Sequence, residues 1–421
     1  MTVEIGITVA LLVLGYLLSA YIRRRRANRT RPRPGPATTP TVPTFRVVTL
    51  GLQGSGKTLL LTSMYRRLHI PRDRGYYVTV PQDQLIELNR WYEQVSDTGR
   101  DWPSGTTRHE MREFEFSVMA HTREAAVPVV RIGYLEYPGE LLTDPDAPGS
   151  TAQESLAEAI RDADALIGII DGLRVLQAYR RDARARFLLQ TTLDSMINSM
   201  LAAHTPIAFV VTKWDLLDEL HADENTRLHI VRNVLMTVDG FADLVRVHSA
   251  RRIIRLIPVT AVGHDFAMLH EGQVRKKPDG EFRPGHVDVP LSAVVPDVLQ
   301  QVEMSLDRDT RAAVLAEAQR RAGMRPAEAL LAVGMFAAQR TGRVLLSAMG
   351  GGWLADAGLA LFLDSYAPTE QHDLRRTAEM DDAERIADEF IQLRRKVLYG
   401  LRHQVSVLEA RLPASRLGGV D

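Results

Sequence analysis

A three-layer α/β/α fold, preceded by a membrane-spanning helix and followed by a helical region, is what this sequence predicts. Three observations carry the prediction. Residues 51–58 form a glycine-rich octapeptide set between an apolar run and a helical pattern. Further apolar, strand-like runs follow in order, and one of them closes on Thr212-Lys213-Trp214-Asp215. Finally, residues 5–22 carry no charge, and the chain beyond about residue 305 reads as helix.

The octapeptide, GLQGSGKT, fits the pattern G-x-x-x-x-G-K-[ST] without a substitution. Arg46 to Leu50 reads as a buried strand before it and Thr58 to Leu68 as a helix after it. In that setting Gly51, Gly54, Ser55 and Gly56 curl the backbone so that N–H groups point inward at phosphate oxygens. The helix's positive end faces the same anion. Lys57 reaches the outer phosphates, and the Thr58 hydroxyl is placed for Mg²⁺. A plain glycine turn would not require strand, loop and helix in this order. The fold expected is therefore that of a P-loop NTPase.

The base is indicated by residues 206–215, PIAFVVTKWD, an apolar strand with a charged end. A carboxylate at Asp215 accepts two hydrogen bonds from the N1–H and N2–H₂ edge of guanine, whereas adenine presents an unprotonated N1 there. An unpaired buried polar group of this kind discriminates by roughly 10⁴-fold or more. The aliphatic stem of Lys213 covers the base plane. Four letters alone fit an exposed charged turn equally well; their place on a strand downstream of a phosphate loop favours the guanine reading. The segment matches the N/T-K-x-D signature and so resembles GTP-binding proteins of the Ras-like class.

That resemblance assigns roles to further residues. The strand Val127 to Leu135 leads into Glu136-Tyr137-Pro138-Gly139-Glu140, similar to the D-x-x-G switch element of the class, with Glu136 in place of Asp. It implies that Gly139 gives its N–H to a γ-phosphate and that Glu136 holds Mg²⁺ through a water. Glu140 occupies the place of the water-orienting Gln. With Lys57, Gly139 and Glu140 form the expected catalytic set. A carboxylate facing a triphosphate implies slow hydrolysis or dependence on a partner; a Pro-Gly turn after a core strand is the plainer alternative. A predicted helix, Gln82 to Ser96, precedes Asp101 to Thr107, where Thr106 is the expected switch threonine on Mg²⁺ and Thr107 the alternative. An ordinary Pro-Ser-Gly turn fits that segment equally. The strand Arg252 to Val259 ends in Thr260-Ala261-Val262, which corresponds loosely to the S-A-K element and implies an Ala261 N–H on guanine O6. Asp171, closing the strand Ala165 to Ile170, reads as a loop-capping aspartate rather than a metal ligand.

Residues 45–306 thus resemble a Ras-like P-loop GTPase. The insertion before a W-P-x-G-T-like switch, the P-G-E switch and the run Gly285 to Leu291 resemble bacterial double-GTPase families. A phosphate loop behind a membrane anchor is also similar in layout to the signal-recognition-particle receptor beta subunit.

The eighteen uncharged residues 5–22 span roughly 27 Å as a helix, close to the thickness of a bilayer's hydrocarbon. Arg23 to Arg26 follow, with Arg29, Arg31 and Arg33 beyond. By the positive-inside rule the bulk of the chain is cytoplasmic, and residues 1–26 read as a retained single-pass anchor in the cell membrane. The arginines also suit anionic headgroups. Residues 27–44 form a Pro- and Thr-rich extended linker. With 52 basic and 52 acidic side chains the formal charge is zero, which implies no general affinity for nucleic acid. There are no cysteines, so disulfides, iron–sulfur clusters and thiolate metal sites are excluded. An arginine- and alanine-rich composition points to a bacterial source.

Residues 307–421 are expected to be helical. Thr310 to Ala322 and Pro326 to Leu345 read as helices, with a break at Gly350 to Gly352. In the final helix, Asp382 to Leu412, the residues Ile386, Phe390, Leu393, Val397, Leu401, Val405, Leu408 and Leu412 form a stripe, destined either for the preceding domain or for a coiled-coil pair. The apolar stretch Ala327 to Met349 carries Arg340 and Arg343, which favours a bundle core or a partner surface over a membrane hairpin. The function expected is a membrane-anchored switch that hydrolyses GTP to GDP with Mg²⁺ and signals to a protein effector or activator. A non-catalytic guanine-nucleotide sensor or scaffold is the first alternative and an ATPase the second.

Overall fold

The computed structural model describes residues 42, 44–71, 74–103, 111–122, 125–137, 151–201, 203–249, 252–298 and 378–417. The expected membrane anchor and nearly all of the linker lie outside these residues. So do Thr106, Thr107, Gly139, Glu140 and the expected helices at 310–322 and 326–345. Among the described residues no helix is long and apolar enough to cross a membrane.

The chain enters on β1 (Thr44–Gly51), whose Val47, Val48 and Leu50 are buried. It turns through the glycine-rich loop into α1 (Lys57–His69) and continues to the short β2 (Tyr77–Thr79) and α2 (Gln82–Ser96). Then come β3 (Arg112–His121), β4 (Ala126–Glu136) and α3 (Thr151–Arg161). The second half supplies β5 (Ala165–Asp171), α4 (Gly172–Tyr179), α5 (Ala183–Met200), β6 (Ile207–Thr212), α6 (Glu224–Leu235), the short α7 (Asp239–Asp243) and β7 (Ile254–Pro258). A separate antiparallel hairpin, β8 (Ala267–His270) and β9 (Gln273–Lys276), precedes a helix over residues 289–298, labelled α8. The last described helix is α9 (Ala378–Arg411), followed by a 3₁₀ turn at Pro413–Ser415.

The seven-stranded sheet has the order β2-β3-β4-β1-β5-β6-β7. The ladders β4–β1, β1–β5, β5–β6 and β6–β7 are parallel, while β2–β3 and β3–β4 are antiparallel. Patterning explains the difference. All six residues of Ile207–Thr212 and all five of Ile254–Pro258 are buried, as a parallel strand covered on both faces requires. In β3, by contrast, Phe114, Phe116, Val118 and Ala120 are buried between more exposed neighbours, the period-two signature of a sheet open on one face. The chain leaves β1 for β4 on one side and then crosses to β5 on the other. The loop after β1 therefore opens at a topological switch point, at the carboxyl ends of the parallel strands, where such sheets hold ligands.

Two insertions meet beside this opening. Val95 of α2 packs with Ala261, Val262, Phe266 and Ala267, with Trp102 and Val274 against them. The Trp102 indole donates to the Val274 carbonyl (2.8 Å), and the Lys276 ammonium donates to the carbonyls of Gln94 and Asp97.

The stripe on the last helix is an intramolecular seam from Val397 onward. Val397, Leu401, Leu408 and Leu412 are buried in the same core as the sheet. At one end Gly400 lies against the Tyr76 ring, where a Cβ would approach within 3.0 Å. At the other, Arg255 of β7 grips Asp297 of α8 through both carboxylate oxygens (2.6 Å each) and also pairs with Glu409 of α9. Arg416 then bridges to Arg255, and Leu417 N–H donates to the Ile254 carbonyl, so residues 416–417 extend the sheet edge beyond β7.

Candidate functional site

The loop that follows β1 takes its shape from residues with positive φ. Gly54 (φ 75°) and Gly56 (φ 89°) occupy the left-handed region, which side chains other than glycine's resist. Gly56 is also the N-cap of α1, and no side chain caps that helix start. Its first N–H groups are therefore directed at the loop. The Lys57 ammonium donates to the carbonyls of Gly51 (2.8 Å) and Leu52 (3.1 Å), which fixes its stem across the loop. Thr58 is buried at the same helix start. Ser55 is buried too, and its hydroxyl has no hydrogen-bond partner among the described residues.

The second motif reaches this loop directly. The Thr212 hydroxyl, at the end of β6, donates to the Ser55 carbonyl (2.6 Å) and lies 3.2 Å from the Ile170 carbonyl. The backbone of the glycine-rich loop, β5 and β6 are thus stapled at one point. Gly172 makes the close approach possible, since a Cβ there would lie 2.2 Å from the Thr212 carbonyl oxygen.

Lys213 adopts a left-handed conformation (φ 52°, ψ 38°), uncommon for a residue with a side chain. Its ammonium bonds Asp171 Oδ2 at 2.8 Å. Asp171 is the capping residue that its position suggested, because its Oδ1 accepts the Leu173 N–H at 3.0 Å. The ion pair with Lys213 has no counterpart in the local sequence pattern. Its signal lies in the register: Asp171 pairs with Thr212 across β5 and β6, so a carboxylate closing one strand sits beside a lysine leaving the next.

Asp215 and Thr260 come together across 45 residues of chain. The Thr260 hydroxyl donates to Asp215 Oδ1 (2.7 Å) and accepts the Gly263 N–H (2.8 Å). Thr260 is itself held by reciprocal backbone bonds with Gly285. Burial pushes the Asp215 carboxyl above the ordinary range, and the Thr260 hydrogen bond partly offsets this. Ala261, the neighbouring residue, is anchored to α1 through the Ser63 hydroxyl on its carbonyl (2.6 Å). The weakest sequence element, Thr260-Ala261-Val262, is therefore joined to Asp215 of the second motif and to α1, the helix that follows the glycine-rich loop.

Glu136 closes β4 in register with Thr49 of β1 and is fully buried. Tyr137 N–H continues this contact by donating to the Thr49 carbonyl (3.2 Å). Gly139 and Glu140 lie outside the described residues, as does Thr106. Among the described residues no cluster of three or more His, Cys, Asp or Glu side chains has the arrangement of a metal site. The hydroxyl oxygen of Thr58 and the carboxyl oxygens of Glu136 are nonetheless of the hard-donor type that Mg²⁺ takes.

No family model and no curated protein matches this chain. Solved structures do resemble it, remotely. One is the signal recognition particle receptor SRb-GTP/SRX complex from Chaetomium thermophilum, at 14% identity and a TM-score of 0.29, covering 53% of this chain and 93% of that one. Another is the Ski7 GTPase-like domain of S. cerevisiae bound to GTP, at 13% identity and 0.30, covering 57% and 48%. A third is the Arl6 BBS3 small GTPase of Trypanosoma brucei with a bound nucleotide analogue, at 13% and 0.24, covering 52% and 87%.

Proposed function

We propose that this chain is a guanine-nucleotide-binding switch that hydrolyses GTP to GDP, held at the cytoplasmic face of a membrane by residues 1–26. The single observation that carries the reading is the junction of the glycine-rich loop, Thr212 and the Asp215–Thr260 pair at the carboxyl ends of the parallel strands. A carboxylate oriented by Thr260 suits the two adjacent donors of guanine, and a glycine-shaped loop at a helix start suits phosphates.

In this reading Gly54, Ser55 and Gly56 bind phosphate through backbone N–H groups, and Lys57 supplies a fixed cation. Ala261 N–H faces the base carbonyl. Thr58, Glu136 and Thr106 would hold Mg²⁺, which when bound neutralises charge that builds on the phosphate oxygens. Gly139 and Glu140 belong to the segment that places the attacking water. A glutamate at position 136, one methylene longer than aspartate, and a second at 140 make turnover slow without a protein activator. The insertion at 82–96 and the run 285–291 support a place among double-GTPase-like proteins.

The test uses the full-length chain in detergent, offered GTP or ATP with and without Mg²⁺. Preferential GTP binding with Mg²⁺-dependent phosphate release is expected. Equal affinity for both nucleotides would remove the guanine assignment. Tight GTP binding without phosphate release, even with candidate protein partners added, would replace the hydrolase by a sensor. Carbonate-resistant membrane retention that is lost on deleting residues 1–26 is expected of the anchor; retention by the truncated chain would refute it.

A further inference from the structure

We infer that Asp171 is a positioning residue for the base site, acting through Lys213; the inference rests on the guanine reading above. Its two carboxylate oxygens do separate things. Oδ1 caps α4 through the Leu173 N–H, a local task that an uncharged Asn performs as well. Oδ2 holds the Lys213 ammonium at 2.8 Å, a task that needs the charge.

The surroundings favour a fixed pair. The Asp171 and Lys213 side chains are only 11% and 23% exposed, so water screens them little. Arg174 Nε lies 3.9 Å from the same Oδ2, a second cation that holds the carboxylate in place. Gly172 lies so close to the Thr212 carbonyl that a Cβ would come within 2.2 Å, which brings the turn bearing Asp171 against the strand that carries Lys213. The Lys213 backbone, for its part, sits in a left-handed conformation that a side chain makes costly, and such strain persists where the surroundings over-determine it.

The consequence is preorganisation. An untethered lysine samples many rotamers, and ordering it on ligand binding costs affinity. With its ammonium tied to Asp171, the Lys213 stem is already in place as the apolar wall for a planar base. The same contact keeps the charged end from swinging across the site. Asp171 thereby sets how long the nucleotide stays bound, without touching the base.

The experiment displaces a fluorescent N-methylanthraniloyl GDP from the full-length chain with excess GDP and reads the dissociation rate. Asp171→Asn should release it about tenfold faster, because the ligand then orders the lysine itself. Its thermal midpoint should fall only modestly, since the cap survives and the Lys213 side chain, 23% exposed, can still reach water. In a Lys213→Met background, which keeps an unbranched stem without charge, adding Asp171→Asn should change the rate by less than about twofold. An unchanged release rate in Asp171→Asn overturns the inference, whatever the midpoint does. Equal acceleration in the Lys213→Met background overturns it as well. If the parent chain prefers GDP over ADP and Asp171→Asn behaves like the parent, only the tether is refuted. A parent that shows no such preference refutes the guanine reading itself.

Discussion

Asp215→Ala is the substitution whose effect can be worked furthest from the geometry. The carboxylate is oriented by the Thr260 hydroxyl at 2.7 Å on Oδ1, and Thr260 is fixed by Gly263 and Gly285. Guanine offers two donors to such a carboxylate. Each charge-assisted hydrogen bond contributes about 1.5–3 kcal/mol, so losing both removes about 3–6 kcal/mol. At 1.4 kcal/mol per tenfold, the Kd for GDP should rise roughly 10²- to 10⁴-fold. ADP binding should hardly change, because adenine gains nothing from the carboxylate. The cost to the fold is smaller. The Thr260 oxygen still accepts from Gly263, and only its proton loses a partner, about 1–3 kcal/mol at most. Equilibrium titration with GDP and ADP, beside thermal melting of the nucleotide-free chain, separates the two effects. A GDP affinity within tenfold of the parent's, or equal losses for GDP and ADP, would refute the reasoning.

Three further outcomes are expected. Asp215 accepts hydrogen bonds from the base only as a carboxylate and burial raises its pKa, so GDP affinity should fall with pH at a higher pH than an ordinary aspartate allows. In Asp215→Ala the GDP titration curve should lose this acid limb; the same limb in both proteins would assign it to another group. At the C-terminal seam, Asp297→Ala strips Arg255, whose side chain is 7% exposed, of its bidentate partner. The thermal midpoint should drop, because breaking a buried pair costs about 3–5 kcal/mol, less what Glu409 retains. Arg255→Met combined with Asp297→Leu should recover most of that loss by circular-dichroism melting, and no recovery would show that the pair is worth more than its desolvation. Finally, desolvation raises the Asp164 carboxyl to about 6, although the Arg46 N–H donates to it. Its charged form therefore costs stability above that pH, and this penalty disappears as the pH falls toward the unfolded value near 4. Asp164→Asn should thus stabilise the chain at pH 8 and make no difference at pH 4, as read by thermal melting at both.

Several elements were legible from local pattern. The helix Gln82–Ser96 falls on the residues that its sequence indicates, and the strands around the phosphate loop differ from expectation by only a few residues at their ends. Strand ends moved because pairing partners fix them: β1 starts at Thr44, where it is in register with Arg131 of β4. Two small strands, β8 and β9, leave no mark in the sequence pattern. Their four-residue runs, exposed at Met268 and Leu269, carry too little apolar periodicity to be read, and they are defined by packing on Val95 and Trp102. The final helix shows the opposite case. Its stripe was plain in the sequence, but a stripe says only that a surface will be covered. The covering surface, the core under Tyr76 and Leu256, follows from packing.

The sequence by itself determined the glycine-rich loop, because glycine spacing and a lysine at fixed offset act within eight neighbouring residues. It also placed the carboxylate proposed to read the base, because Asp215 follows directly on the end of one strand. Only the tertiary structure decided that Asp171 holds Lys213, that Thr260 orients Asp215, and that Arg255 locks α8 to the chain's last helix. Each of these pairs joins residues 42 or more positions apart, and an ion pair or hydrogen bond depends on distance in space, which a local pattern does not encode.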